Sequence, residues 1–158
     1  GDIMEKEYDT LYSAKLGCYK LKENAKLPTK GSEDAACYDL YSCSDEPILL
    51  EPRERVLVPT GLIMDIPRGF SARIHTRSGM AAKKGIGLSV SQGIIDSDYV
   101  EEVFVPMVNN TEKYFHIYPG DRIAQLELVR EIITDVYETE ERPEQKTDRD
   151  GGFGSTGT

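Results

Sequence analysis

The sequence predicts an all-β domain, a jelly-roll-like β-barrel or sandwich with one short helix and a mobile C-terminal arm. Short apolar runs rich in β-branched residues recur along residues 17–135, and Pro or Gly separates them at short intervals. Only residues 78–84 combine helix-forming side chains with a closing glycine. Residues 138–150 contain no apolar side chain, so nothing there can offset the entropy of ordering.

Three parts follow from this pattern: an N-terminal extension (1–16), a β domain (17–135) and a flexible arm (136–158). In the extension, Met4, Tyr8 and Leu11 fall at helical spacing, which is compatible with a short amphipathic helix or with a disordered terminus. The 158 residues are enough for one domain with a hydrophobic core.

The elements are predicted in chain order from the apolar runs and their turns. The predicted strands are 18–22, 35–42, 48–50, 55–59, 61–66, 70–76, 103–108, 114–118 and 122–133. Residues 103–108 are apolar at most positions, which predicts burial on both faces, and Pro106 predicts a bulge or an unpaired side. His116 lies among aromatic residues and is interpreted as a packed strand residue, not as a ligand.

Composition excludes several classes of function. The formal net charge of -9 argues against a nucleic-acid surface but leaves room for a small phosphate ligand. No apolar run approaches the length of a membrane span, and the N-terminus lacks the order of a signal peptide. The three cysteines have no metal-ligand spacing and form an odd number. We therefore expect an intracellular, reducing compartment, either the cytoplasm or the nucleus.

The stretch 91–99, Ser-Gln-Gly-Ile-Ile-Asp-Ser-Asp-Tyr, is the strongest candidate for a ligand site. Gly93 permits unusual backbone angles, Ile94 and Ile95 favour a strand, and the following Asp-Ser-Asp suits a turn. A hairpin here would hold backbone groups beside a carboxylate and the ring of Tyr99, as recognition of a small planar ligand and activation of a water require. The alternative is a solvated, Asp-rich turn.

Two further segments suit a phosphate ligand. Ser78 is a good N-cap for the helix that ends at Gly85, and Arg77 precedes it, so free N–H groups and a cation meet at one place. The alternative is an ordinary surface helix cap. Near the C-terminus, Gly-Gly-Phe-Gly-Ser-Thr-Gly (151–157) combines close backbone approach, hydroxyl donors and one aromatic ring, although its composition also fits a floppy end.

Five segments, taken in order, resemble the trimeric dUTPases (deoxyuridine triphosphate nucleotidohydrolases). They are Ala-Ala-Cys-Tyr-Asp-Leu-Tyr-Ser (35–42), Thr-Arg-Ser-Gly-Met-Ala (76–81), Gly-Ile-Ile-Asp-Ser-Asp-Tyr (93–99), Pro-Gly-Asp-Arg-Ile-Ala-Gln-Leu (119–126) and Arg-Asp-Gly-Gly-Phe-Gly-Ser-Thr-Gly (149–157). The resemblance implies a homotrimer with three shared active sites and Mg²⁺-dependent hydrolysis of dUTP to dUMP and pyrophosphate. Such an enzyme removes dUTP from the nucleotide pool and supplies dUMP for thymidylate synthesis.

The resemblance also implies roles for individual residues. Asp96 would orient and deprotonate the attacking water, Gln125 would contact the α-phosphate region, and Asp39 would support the site. Mg²⁺ would be held mainly by the triphosphate and water, so no protein ligand is named for it. The residues implied to bind substrate are Arg77, Ser78, Gly79, Gly93, Ile94, Ile95, Asp98, Tyr99, Arg149, Phe153, Gly154, Ser155 and Thr156.

Within that set, Tyr99 would lie against the deoxyribose and exclude a ribose 2′-hydroxyl. Backbone groups of residues 93–98 would read uracil and reject cytosine's amino group. Phe153 would cover uracil as the arm (136–158) closes a neighbouring active site, with Arg149, Ser155 and Thr156 at the γ-phosphate.

Several positions depart from the family's usual pattern. Cys37 stands where Gly is usual, Thr76 where Pro is usual and Val90 where Asn is frequent. Val100-Glu101 replaces Arg-Gly, and the spacing between Arg149 and Phe153 is one residue shorter than the common one. Two other functions remain open: a dCTP deaminase, which shares the fold, and a non-catalytic nucleotide-binding regulator.

Overall fold

The computed structural model describes residues 13–90 and 92–148, without the side chains of 81–83. Eleven strands and one helix are present in this part of the chain. They are β1 (Gly17–Lys20), β2 (Thr29–Lys30), β3 (Tyr38–Tyr41), β4 (Ile48–Leu50), β5 (Arg55–Asp65), β6 (Phe70–His75), α1 (Ser78–Lys84), β7 (Ile86–Leu88), β8 (Gly93–Asp96), β9 (Glu102–Asn109), β10 (Phe115–Ile117) and β11 (Arg122–Arg130). The predicted all-β class with one short helix is confirmed.

The strands form two main sheets and a small pair, and every pairing is antiparallel. One sheet has the order β1-β5-β9-β7, the other has the order β2-β3-β11-β6-β8, and β10 pairs with β4. Within the described residues neither sheet closes on itself, so the architecture is an open sandwich and not a closed barrel. The inner faces supply the core, for example Ala72 and Ile74 on β6 and Leu126 on β11.

Alternation along β6 shows how one strand serves both the core and a site. Ala72 and Ile74 are buried in the core, whereas Arg73 and His75 lie half-buried on the outer face. Because side chains alternate along a strand, the outer face of the five-stranded sheet is polar while its inner face is apolar. That polar outer face carries several of the residues discussed below.

Residues 55–59 and 61–66, predicted as two strands, form the single long strand β5. The register with β9 shifts between Pro59 and Ile63, so the Pro and Gly there make a bulge instead of a turn. Gly61 has φ +71°, and a Cβ at this position would lie 2.7 Å from the Cys43 sulfur. Glycine is therefore required here by both backbone conformation and space.

The helix bounds were predicted correctly, but its cap was not. Helix α1 begins at Ser78 and ends before Gly85, whose φ of +67° makes it a left-handed C-cap. Arg77, not Ser78, is the N-cap residue, and its side chain makes no capping hydrogen bond. Ser78 is exposed in the first turn, where no acidic side chain competes for the free N–H groups.

Two strand predictions were wrong because burial depends on neighbours far away in sequence. Strand β9 alternates instead of being buried on both faces: Val103 and Val105 are buried, whereas Phe104 is 41% exposed. The final strand ends at Arg130, and Ile132 and Ile133 beyond it are 86% and 100% exposed. His116 lies on strand β10 as predicted, but it is exposed instead of packed in the core, and its ring stacks on Tyr118 with ring centroids 5.8 Å apart.

Pro106 breaks no register with β5, where it lies opposite Leu57. The pairing between β7 and β9 ends at Met107, one residue away, so Pro106 lies beside the end of that ladder. Its carbonyl accepts a hydrogen bond from the backbone of Ser89. The missing N–H of proline is thus placed where the sheet does not need it.

Candidate functional site

The residues predicted to bind ligand lie in two groups on the five-stranded sheet. We call the first the Asp96 group (Ile94, Ile95, Asp96, Asp98 and Tyr99), at one end of β8. We call the second the Asp39 group (Asp39, Arg77, Ser78, Gly79 and Gln125), where β3, β11 and β6 meet the helix. Each group is held by strand pairing, which fixes its residues relative to one another.

The Asp96 group is not the hairpin that the sequence suggested. Strand β8 pairs with β6, with Asp96 opposite Ser71, and the next strand, β9, belongs to the other sheet. The Asp-Ser-Asp segment is therefore a turn that crosses between sheets, closed by a hydrogen bond from the Tyr99 N–H to the Asp96 carbonyl (3.1 Å). Among the described residues β8 is an edge strand, so its outer backbone groups face away from the sheet.

A cavity of about 340 Å³ opens beside the Asp96 carboxylate. The volume lies within the range of pockets that hold small organic ligands. Tyr99 forms one wall, is 40% exposed and donates its hydroxyl to the Glu102 carbonyl (2.7 Å), which fixes the ring. The lining is otherwise apolar, with the side chains of Leu57, Ile94, Ile95, Val103 and Phe104.

A second cavity, of about 440 Å³, lies on the other side of Asp96. It is polar, and Glu131, the residue that follows β11, forms part of its wall. The Ser71 hydroxyl and the Arg73 guanidinium (2.6 Å) both donate to the Glu131 carboxylate and, in that order, lower its pKa. The segment that leads from β11 toward the arm is thus anchored at Glu131, beside the Asp96 turn.

The Asp39 group is built around a buried carboxylate. Asp39 is 9% exposed and lies between two guanidinium groups, with Arg77 at 3.6 Å and Arg122 at 3.8 Å. Gln125 lies opposite Asp39 on one side and opposite His75 on the other. Two cations and an amide therefore converge where the first helical N–H groups are free, which is the chemistry of an anion site.

Two of the three glycines predicted to bind substrate, Gly79 and Gly93, lie in the described part of the chain, and glycine serves a different purpose at each position. A Cβ at Gly93 would lie 3.2 Å from the Ile74 Cβ, so glycine there lets β8 lie tightly against β6. A Cβ at Gly79 would meet nothing within 4 Å. Packing does not demand glycine at position 79, and its bare backbone is open to an incoming ligand.

The two groups do not meet within one chain. Along β6, Ser71 opposite Asp96 and His75 opposite Gln125 are four residues apart, and three strand spacings separate β8 from β3. With the usual rise per residue and strand spacing, Asp96 and Asp39 lie about 20 Å apart. This separation is larger than a bond-making contact allows. The remaining predicted residues, Arg149, Phe153, Gly154, Ser155 and Thr156, lie outside the described part of the chain.

Arg122 is the site residue that sequence reasoning missed. It belongs to the segment 119–126 already singled out, but only the register places it beside Asp39, because β11 and β3 shift by one residue between Arg122 and Ala124. Cys37 also lies near the Asp39 group. Burial, followed by the charges of Glu127 and Asp39, raises the pKa of its thiol, so it stays protonated at neutral pH.

The described residues, 13–90 and 92–148, hold neither a metal-binding cluster nor a helix able to span a membrane. In that part of the chain no three His, Cys, Asp or Glu side chains converge as a metal-binding group. No helix there has the length and hydropathy needed to cross a membrane. All three cysteines are free thiols.

Comparison with known proteins agrees with this geometry. A family model described as dUTPase matches residues 23–157. The deoxyuridine 5′-triphosphate nucleotidohydrolase of Hydrogenobaculum sp. is 42% identical over 143 residues, which cover 90% of this chain and 98% of that protein. The enzyme of the same name from Yarrowia lipolytica is 44% identical and covers 87% of this chain and 85% of its own length.

Two solved structures share the fold. A dUTPase of Staphylococcus bacteriophage 80alpha bound to dUpNHpp superposes with a TM-score of 0.80 at 24% identity, covering 91% of this chain and 99% of that one. A dUTPase of phage phi11 of S. aureus, described with a structural Mg(II) ion, gives a TM-score of 0.74 at 24% identity over 82% and 99% of the two chains.

Proposed function

The chain belongs to the dUTPase family, and from that membership we propose that it hydrolyses dUTP to dUMP and pyrophosphate at a site assembled from its Asp96 and Asp39 groups. The observation that supports this most directly is an exposed carboxylate, Asp96, fixed at a strand end beside an apolar cavity walled by a tyrosine. The reaction needs a base for water next to a pocket for a nucleoside, and both are present there.

The cavity beside Asp96 suits the nucleoside. Its apolar walls favour the flat faces of a base, while the outer backbone edge of β8 offers N–H and C=O groups in fixed positions. A uracil O4 facing a backbone N–H is accepted, whereas cytosine would present an amino group to that donor. Tyr99, held by its hydrogen bond to Glu102, would lie beneath the deoxyribose and leave no space for a 2′-hydroxyl.

Asp96 would carry the chemical step. Its carboxylate would accept a proton from a water while the water oxygen attacks the α-phosphorus. The bond from the α-phosphorus to the bridging oxygen then breaks, and its electron pair leaves with pyrophosphate. Asp98 lies exposed in the same turn and would help to hold the backbone that reads the base.

The Asp39 group would hold the triphosphate. Arg77, Ser78 and the open backbone of Gly79 offer a cation, a hydroxyl and N–H groups, and Gln125 adds an amide near the α-phosphate. Asp39 would position Arg77 instead of touching substrate, because its carboxylate is buried and already paired.

A homotrimer with shared sites would bring the two groups together. Within one chain they lie about 20 Å apart, so a complete site would combine the Asp96 group of one subunit with the Asp39 group of another. The residues on either side of the boundary between the β domain and the arm support association, because Ile132, Ile133, Val136 and Tyr137 are all at least 75% exposed in the single chain. Residues 149–156 would then close a neighbouring site, with Phe153 on uracil and Arg149, Gly154, Ser155 and Thr156 at the phosphates.

Mg²⁺ is the proposed cofactor. Mg²⁺ commonly binds through substrate phosphates and water, so we expect the triphosphate to carry most of its ligands. When bound, the ion would neutralise charge on the phosphates. The protein side chains would orient the triphosphate and the attacking water.

The test is to mix the purified protein with dUTP, dCTP, dTTP or UTP and Mg²⁺ and to follow pyrophosphate and ammonia. We expect pyrophosphate from dUTP alone at a high rate. Ammonia from dCTP would identify a deaminase, and binding without turnover of any nucleotide would identify a regulator. Asp96→Asn should bind dUMP normally and lose about a hundred- to ten-thousand-fold in rate.

A further inference from the structure

Thr76 connects the two sheets and directly precedes Arg77 of the Asp39 group. It lies between the last residue of β6 and Arg77, yet its side chain contacts β7, which belongs to the other sheet. The Thr76 hydroxyl oxygen accepts a hydrogen bond from the Leu88 N–H at 2.8 Å. The contact is tight, because a Cβ on Gly87 would lie 2.9 Å from the Thr76 methyl carbon and 3.0 Å from its hydroxyl oxygen.

This hydrogen bond fixes one end of the connection that leads to the Asp96 group. After Leu88 the chain crosses from the four-stranded sheet to the five-stranded sheet, where Gly93 begins β8 opposite Ile74. Leu88 and Gly93 are therefore held against positions 76 and 74 of the same segment. Leu88 is only 9% exposed, so an N–H without a partner there would be costly.

We propose that Thr76 is a positioning residue for base recognition: its hydroxyl holds the end of β7, from which the chain leads to β8, and so sets the placement of the β8 edge against the nucleoside. The inference rests on the proposed function and deepens it. Arg77, the next residue, has anchors of its own in the Asp39 carboxylate (3.6 Å) and the Arg122 carbonyl (3.4 Å). Loss of the hydroxyl should therefore disturb the nucleoside side of the site and spare the phosphate side.

The experiment compares Thr76→Val, which keeps the shape and removes the hydroxyl, with Thr76→Ser, which keeps the hydroxyl. The dissociation constants of dUMP and of pyrophosphate with Mg²⁺ are measured by calorimetry, and KM and kcat are measured on dUTP. For Thr76→Val we expect the dUMP dissociation constant and the KM for dUTP to rise about fivefold, the change that loss of one neutral hydrogen bond produces. Pyrophosphate binding should stay at the wild-type value, and Thr76→Ser should restore dUMP binding.

Thr111→Val is the matched control. The Thr111 hydroxyl also accepts a backbone N–H, that of Lys113 at 3.1 Å, but it lies in the turn after β9. The Thr111→Val variant should have a lower melting temperature and an unchanged dUMP dissociation constant. An unchanged dUMP constant in folded Thr76→Val, or equal weakening of dUMP and pyrophosphate, would overturn the proposal.

Gly87→Ala provides an independent route to the same contact. Its new methyl group would displace the Thr76 side chain, so we expect the same selective loss of dUMP binding, and the double variant with Thr76→Val should show less than the sum of the two effects. Full additivity would overturn the proposal, and so would wild-type dUMP binding by Gly87→Ala, a result that does not depend on whether Thr76→Val folds. A wild-type protein that neither binds dUMP nor hydrolyses dUTP would reject the proposed function itself.

Discussion

Two inactive variants should restore activity to each other if the active site is shared between subunits. Asp96→Asn removes the proposed base, and Arg77→Ala removes a proposed phosphate contact of the Asp39 group, whose Asp39 lies about 20 Å from Asp96 in the same chain. A trimer of either variant alone lacks one half of every site. In a mixed trimer, a subunit that keeps Asp96 can face a subunit that keeps Arg77, and that site is complete.

The size of the recovery follows from chance assembly. In an equal mixture each half of a site comes from either variant with equal probability, so about one quarter of the sites carry both intact halves. The mixture should therefore reach about a quarter of the wild-type rate per chain, against a background at least a hundredfold below wild type for Asp96→Asn.

The assay is pyrophosphate release from dUTP after the two variants are unfolded together in urea and refolded, with size-exclusion chromatography to confirm the assembly. In the first control the two folded variants are mixed without unfolding, so that no subunits exchange and activity should stay at background. A chain carrying both substitutions, refolded with an equal amount of wild type, is the second. Shared sites predict about a quarter of the full rate for that second mixture, whereas sites within one chain predict about a half. If the refolded mixture of Asp96→Asn and Arg77→Ala stays at background activity, the shared site is refuted.

Three further outcomes are expected. Glu131→Gln should lower the melting temperature at pH 7, because two donors hold the pKa of the Glu131 carboxyl below its ordinary value of 4.5. The stabilisation is present above pH 4.5 and is lost as the pH falls through the lowered pKa. A difference in melting temperature between variant and wild type that stays constant down to pH 3 would contradict this expectation. A chain ending at Asp150 should keep the wild-type oligomeric state in light scattering and release pyrophosphate much more slowly, and equal rates would show that the glycine-rich end is dispensable. Gly61→Ala should destabilise the protein by about 2–4 kcal/mol in urea unfolding, since it combines a left-handed φ with a clash against Cys43. Gly69→Ala, which has a similar φ but open space around the new methyl group, should cost about 1 kcal/mol. Equal losses of stability would mean that the clash with Cys43 is relieved.

The sequence by itself determined the local features and the family. Pro and Gly at short intervals specify short strands and turns, and these features depend on a few neighbouring residues. The helix ends at Gly85 because only a residue that tolerates a left-handed φ terminates it in this way. Five short segments in the right order resemble the dUTPases, and the dUTPase family model that matches residues 23–157 confirms that family.

The tertiary structure decided how segments that are distant in sequence lie relative to one another. Strands β8 and β9 follow each other along the chain but belong to different sheets, so the expected hairpin became a crossing turn. Strand pairing also decides three other features. Strand β9 is buried on one face only, Arg122 lies beside Asp39, and Thr76 accepts a hydrogen bond from Leu88. The pairing partner is chosen by the burial of whole faces and not by local propensity, so a segment's own residues do not specify it. The 20 Å between the two groups is likewise a sum of strand spacings, which becomes visible only when the sheet is assembled.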